Sequence, residues 1–425
     1  LRKGWNMRLT TIAGEVFFPS RNPIAIAVAG ALMANIAWAQ SADSTPVLPP
    51  VEVKGERINS SLPTFGVNLR GDALNARRFA TNDTATLLDG TPGVSFYTGG
   101  GVSSLPVING LADDRLKITV DGMSITSACP NHMNPALSYI DPAALSQVNV
   151  YAGIVPVSQG GDSIGGAIAV KSIPPAFAEP GQGLKTSGNL NAFYRSNGDV
   201  PGVGARAAIA TENFSIGYVG NTVDAGNYKD GNGKEVLASR YKVRNNAVNL
   251  AGKIGTDIFT LAIGWQDIPY QGYPNQSMDM TSNKSLSFNA GYNGFFDWGT
   301  LEARAFRQRV RHKMDVLDEK AKALGFTPIN GSYMPMDTEA VDLGYSIVAT
   351  APLNENHVAR FGHEFHRYTL DDWWPPLVGS MGMEPNTFWN VNGGRRDRAA
   401  LFAEIDSKLT EKLSTQIGAR VEQVT

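Results

Sequence analysis

Cysteine is nearly absent from this chain: Cys129 is the one cysteine in 425 residues. A single cysteine excludes an intrachain disulfide framework in any compartment. Charge is sparse too, with 18% charged residues and a formal net charge of -2. Lys and Arg are scattered rather than gathered into a basic face, so no nucleic-acid partner is expected. In the latter half no apolar run reaches the ~18 residues that a transmembrane helix needs. No paired carboxylates, Ser-His-Asp spacing or nucleotide loop stands out, so the chain does not read as an enzyme. A transmembrane β-barrel stays open, because its strands alternate apolar and polar residues and escape hydropathy.

What is present begins with a targeting signal. Arg2, Lys3, Arg8 and Arg21 precede an apolar stretch from Ile24 to Met33 that continues to Ile36. Ala37-Trp38-Ala39 then supplies a small-residue cleavage pattern. Residues 1–39 are therefore expected to be a secretory signal peptide, with Gln40 the first mature residue. The chain opens on Leu1, and Met7 is a candidate initiator. The Ser/Pro-rich stretch 40–50 reads as a disordered tether, and Val51-Glu52-Val53-Lys54 as a short strand-like segment.

Two textures follow. From Ala80 to about Ser172 the pattern is α/β. A short helix is expected over Thr84–Leu88, and strands over Pro106–Ile108, Leu116–Gly122 and Val148–Tyr151. A helical turn is expected over Asp141–Leu145. The glycine-rich run Gly160–Val170 has no Lys-Ser/Thr after its glycines and leads into a strand. It reads as a tight turn, not a phosphate loop. From about Lys185, segments of roughly 10 residues alternate in hydrophobicity between turn residues. Eleven such strands are expected before Thr425. Short turns at Glu212-Asn213, Gly255-Thr256, Phe295–Trp298, Pro352–Asn356 and Thr410-Glu411 alternate with long loops at about 225–242, 268–283, 311–338 and 370–396. Short periplasmic turns and long extracellular loops produce that rhythm. A soluble sandwich or propeller would not be so regular.

The methionines are placed unusually. Met133 lies in Cys129-Pro130-Asn131-His132-Met133, and Met314 in His312-Lys313-Met314. Met278/Met280, Met334/Met336 and Met381/Met383 form Met-x-Met pairs, expected on polar outer loops. Thiolate, thioether and imidazole together select Cu(I) over harder ions. His132 is an alternative ligand within the first motif. The Met-x-Met pairs suit either transient metal capture or loop packing. Trp373-Trp374-Pro375-Pro376 reads as an interface girdle or a loop anchor.

The order of these parts resembles a TonB-dependent outer-membrane receptor. Leu87-Leu88-Asp89-Gly90-Thr91-Pro92-Gly93-Val94, Val120-Asp121-Gly122-Met123 and Ser163–Ile168 resemble plug motifs of that family. Ile108-Asn109-Gly110-Leu111 departs from the Arg-Gly pair that many members carry. The resemblance implies a membrane β-barrel of the 22-stranded type with an N-terminal α/β plug domain. On that reading, 51–54 is a TonB-box-like segment, 60–178 the plug and 185–425 a barrel truncated at its C-terminus to about half. It also implies coupling to TonB, with ExbB and ExbD, and residence among the lipids of the Gram-negative outer membrane.

More narrowly, Cys129-x-x-x-Met133 and His312-x-Met314 resemble the ligand motifs of the family's copper receptors. This implies a copper site made by Cys129, Met133, His312 and Met314, shared between plug and barrel wall, with His132 beside it. The cargo would be copper as Cu(I). A siderophore or other chelate receptor, and a passive porin or copper-storage protein, are the alternatives.

Overall fold

The computed structural model describes residues 66–78, 80–161, 163–377 and 386–425. The predicted signal peptide, the tether, Val51–Lys54 and the Met381/Met383 pair lie outside them.

Seven short strands build the plug: β1 (Gly66–Arg70), β2 (Val94–Thr98), β3 (Ser104–Ile108), β4 (Leu116–Val120), β5 (Met123–Ser124), β6 (Leu145–Ala152) and β7 (Gly166–Ser172). Five of them form a mixed sheet in the order β1-β6-β7-β4-β5, and β2 pairs with β3 alone. Only β4 and β7 run parallel in that sheet. Apolar residues fill its core: Leu87, Leu88, Ile108, Leu137, Leu145 and Ile168 are all inaccessible to solvent. Helix α1 (Gly71–Arg78) contributes Leu74 to the same core. The helix expected over Thr84–Leu88 is a single 3-10 turn, Ala85–Leu88. The turn at Pro142–Ala144 is capped by Asp141, whose carboxylate accepts from Ala143 N at 2.8 Å. The glycine-rich run ends, as read, in a strand. Gly166 has φ +137°, and a Cβ there would lie 2.5 Å from Tyr151 O, so only glycine fits at the start of β7.

Eleven antiparallel strands follow, each paired with its neighbour in sequence. They are β8 (Lys185–Arg195), β9 (Val200–Ala210), β10 (Phe214–Ala225), β11 (Tyr241–Ile254), β12 (Asp257–Gln271), β13 (Asp279–Phe296), β14 (Gly299–Asp315), β15 (Met336–Asn354), β16 (His357–Trp374), β17 (Phe388–Lys408) and β18 (Ser414–Val424). The expected count of eleven holds, and β14 is the seventh. Connections 211–213, 255–256, 297–298, 355–356 and 409–413 mark the short-turn end. Connections 226–240, 272–278, 316–335 and 375–387 mark the other, together with 196–199. A two-turn helix, α2 (Asp318–Ala323), sits in the longest of these.

Side chains alternate about the wall with period two. On β14, Phe306, Gln308, Val310, His312 and Met314 are buried against the plug side, while Arg307, Arg311 and Lys313 between them are exposed. The inner face is largely polar, with Gln266, Asn283, Asn289, Gln308 and Thr338 all buried there. The outer face carries exposed apolar side chains such as Phe259, Phe288, Tyr345 and Phe361. A polar lumen with an apolar outer band is the pattern of a membrane barrel. No helix among the described residues is long and apolar enough to cross a membrane.

One expectation needs correction. The loops read at 268–283, 311–338 and 370–396 are shorter, because the strands run on past the apolar band. Met280 lies within β13 and Met336 opens β15, both buried. They are wall residues, not outer-loop residues. Met278 and Met334, just beyond those strands, are half-buried.

Candidate metal centre

The plug reaches the wall through the loop after β5. Cys129 O accepts from His132 N at 2.8 Å, closing a tight turn over Pro130 and Asn131. His132 takes the left-handed conformation, φ +54°. Its Nδ1 lies 3.6 Å from Asp113 Oδ1, so the imidazole faces a carboxylate within the plug and not the neighbouring sulfur side chains. Asn134 holds the loop from inside. Its Oδ1 accepts from Cys129 N and Ser127 Oγ, each at 2.9 Å. Its Nδ2 donates to Tyr139 Oη at 2.7 Å and to Asn283 Oδ1 on β13 at 3.1 Å.

Register does the rest on the wall. Met314 on β14 stands opposite Met280 on β13 and Met336 on β15. Three thioethers therefore lie abreast on adjacent strands. A β-bulge between Met280 and Ser282 makes this possible by resetting the alternation of β13. Cys129 packs in one buried cluster with Met280, Met314 and Met336, and Met133, Met278 and Trp374 pack against it. Met133 is fixed by its carbonyl, which accepts from buried Tyr273 Oη at 2.5 Å.

His312 lies two residues before Met314, on the same inward face, and is inaccessible to solvent. Its Nδ1 is 3.3 Å from Asn283 Oδ1 and 3.4 Å from Asn134 Nδ2. Its Nε2 is buried without any hydrogen-bond partner. In the tautomer that donates from Nδ1 to Asn283, the unpartnered atom carries a lone pair. A buried acceptor left bare costs about 1–3 kcal/mol. Five other buried side-chain atoms among the described residues share this condition, Gln308 Oε1 on the same face of β14 among them, but His312 Nε2 is the one that is a soft-metal donor beside sulfur.

Burial pushes the Cys129 thiol above its ordinary pKa, and the backbone N–H groups of Met133 and Asn131, which face the sulfur, pull it back down. The thiol is thus protonated at neutral pH until an electrophile displaces the proton. A soft cation would do so, since a coordinating thiol is deprotonated outright.

Of the four residues picked from sequence, Cys129, Met133 and Met314 share one cluster, and His312, two residues before Met314, is linked to Cys129 only through Asn134. Sequence reasoning missed Asn134, Tyr273 and the positions of Met280 and Met336. The Met-x-Met spacing marked the last two; register across strands, which places them, is not written locally. Among the described residues no group of three or more His, Cys, Asp or Glu is placed to hold a metal ion, so any metal held here would depend on thioethers.

A second seam lies lower in the barrel. Lys117 on β4 is buried, and its Nζ donates to Gly160 O at 2.8 Å and to Glu364 Oε2 on β16 at 3.0 Å. Arg420 on β18 reaches the same oxygen at 2.8 Å. Ser158 Oγ donates to Glu404 Oε1 at 3.1 Å, and Arg360 pairs with that atom at 3.0 Å. Burial lowers the Lys117 pKa, opposed by Glu364 and reinforced by Arg398 and Arg420. Glu364 is level with Ser346, and His312 with Thr338, so the ionic seam sits 8 positions along β15 towards the short turns.

A plug threaded inside a wall of long antiparallel strands defines the TonB-dependent receptors of the Gram-negative outer membrane, and residues 69–167 match the family model "TonB-dependent Receptor Plug Domain". The chain has that fold and is a protein of the outer membrane. Among curated proteins it is similar to the heme transporter BhuA of Brucella suis, 30% identical over 159 residues, which is 37% of this chain and 23% of BhuA. Among solved structures it is similar to the copper transporter OprC, with TM-score 0.73 and 21% identity, over 85% of this chain and 55% of OprC. The FrpB iron transporter of Neisseria meningitidis follows, with TM-score 0.66 and 15% identity, over 85% of this chain and 58% of FrpB. The chain thus spans little more than half the length of the solved structures it matches.

Proposed function

We propose that the protein is a TonB-dependent importer of copper, bound as Cu(I) by Cys129, Met133, His312 and Met314 between plug and wall. The observation that carries this is one thiol packed with a row of thioethers in a single buried cluster, with the unpartnered imidazole nitrogen of His312 two residues from Met314 on the same face of β14. Soft donors of this kind select Cu(I), and Zn(II) would favour more nitrogen or thiolate. Met280 and Met336 flank Met314 and add thioethers on either side. Met278 and Met334, half-buried nearer the loops, are where an arriving ion is first met. A chelate such as heme or a siderophore would be better served by aromatics and arginines than by a tight thioether row.

The energy source on this reading is TonB, with ExbB and ExbD. Val51–Lys54 would add as a strand to TonB through main-chain hydrogen bonds. Val53→Pro removes a donor and should abolish energised uptake with copper binding intact.

The deciding experiment is metal content of the purified full-length protein by mass spectrometry, after exposure to Cu(I), Zn(II) or hemin. One tightly held copper, absent from Cys129→Ala and not displaced by zinc, is expected. Copper retained by Cys129→Ala, equal displacement by zinc, or hemin in place of copper would overturn the reading.

A further inference from the structure

The outer face of β14 does something its neighbours do not. Counted from the short turn, its outward residues are Leu301, Ala303, Ala305, then Arg307, Arg309, Arg311 and Lys313. Arg307 stands in register with Phe288 and Leu343, and Arg309 with Leu286 and Val341. The apolar band therefore continues on both sides while β14 has already turned cationic. One step higher, Arg311 is level with Lys284 and Glu339, and Lys313 with Ser282 and Asp337. An arginine facing hydrocarbon is costly, and the cost falls away only towards the headgroups. The long stems of Arg307 and Arg309 can lie along the apolar flanks and lift their guanidinium groups upward.

The local acids do not neutralise this run. Arg309 and Arg311 share Glu339, and Lys313 pairs with Asp337 at 2.6 Å. Arg307 and Lys284 are exposed and have no ion pair or hydrogen bond among the described residues. Five cations thus face two carboxylates on β13, β14 and β15. On β12, Asp267 is level with Lys284 but is engaged by Arg244 at 3.1 Å. Further round, Arg367 and Arg395 share Asp397, and Asp371, level with Glu339, accepts from Gly393 N, so the excess of positive charge is confined to β13, β14 and β15.

From this we infer that the outward face of β13 and β14, centred on Arg307 and Lys284, binds the phosphate-bearing headgroup of an outer-leaflet lipid. Long loops mark the outer side of such a barrel, and the cations lie at that end, on the upper edge of the apolar band. Guanidinium groups match phosphate oxygens in pairs. The two unpaired cations are spaced across adjacent strands, so one headgroup with two phosphates can bridge them. The inference is independent of what the lumen carries.

The test uses the full-length protein in phosphatidylcholine nanodiscs doped with diphosphorylated lipid A, read by native mass spectrometry for retained lipid. Retention should fall about five-fold for each cation removed, hence roughly 25-fold in the double variant Arg307→Gln/Lys284→Gln. Monophosphorylated lipid A should be held less well than the diphosphorylated form by the wild type. Inorganic phosphate at equal concentration should not compete. If the double variant fails to fold, the wild-type comparison of the two lipid A forms, at low and high salt, decides. Unchanged retention in the variant, equal retention of both lipid A forms, or full competition by inorganic phosphate would overturn the inference.

Discussion

The plug touches the wall at two levels, and the two are made of different materials. Near the long loops the contact is sulfur and apolar carbon, with one buried imidazole beside it. Nearer the short turns it is an ion-pair network, with Lys117, Glu364, Arg420 and Glu404 at its centre. A charged seam is strong only while each partner is present, since a lone buried charge is expensive. A thioether seam has no such all-or-none character: each sulfur contributes soft donor capacity and ordinary packing. On the proposed function, the upper contact would meet an incoming cation and the lower one would hold the plug in place.

The comparison can be broken at either level. The largest effect is expected below. Lys117→Met leaves the Gly160 carbonyl without its donor and Glu364 with only its arginine, and should cost about 1–3 kcal/mol of stability, read as a lower unfolding midpoint in denaturant with copper affinity unchanged. A matching loss of copper affinity would mean that the two seams are not separable. Next comes Cys129→Ala, which removes a donor outright. It should weaken Cu(I) binding by more than the roughly 10–100-fold typical of an outer-shell change, in a competition titration, while changing the unfolding free energy by only about 1 kcal/mol.

A third effect separates the plug interior from both seams. Burial raises Asp83 and Asp141 to about 6 each. An unfolded aspartate titrates near ~4, so between those values the folded plug binds protons that the unfolded chain does not. This stabilising contribution is full below ~4 and is lost as pH rises through about 6. The unfolding midpoint should therefore rise when pH is lowered from 7 to 5, and Asp83→Asn should flatten the profile. A midpoint that falls on mild acidification in the wild type would contradict the assignment. The smallest effects belong to the flanking thioethers. Met280→Leu and Met336→Leu keep volume and should cost under about 1.5 kcal/mol in stability. Each should weaken Cu(I) a few-fold, less than Met314→Leu; equal losses at all three would mark the whole row as ligands.

These two levels were not equally legible in the sequence. The upper one announced itself through rare residue types at close spacing, and β14 was counted correctly because alternation is written along each strand. The lower one was invisible: Lys117 and Glu364 are common residues 247 positions apart, and nothing local marks either. The loops were overread for a related reason. Beyond the apolar band both faces of a strand are polar, one solvated and one packed on the plug. Residues such as Asp279–Ser282 and Asp337–Glu339 therefore lose the alternation that identifies strands. Met280 and Met336 fell in those extensions. Their alignment with Met314 depends on a bulge at Thr281 that no local pattern reveals.

Asn134 holds Cys129 from the plug side while reaching Asn283 and His312 on the wall. A site divided in this way between two bodies separates tightness from retention. Grip on a cargo usually trades against the speed of letting go, because both are read from the same well. On the proposed function, half of the donors would leave with the plug if the plug were drawn away, and the well itself would come apart. Release would then be timed by a mechanical pull, and the grip before it could be as firm as scarcity of the cargo demands.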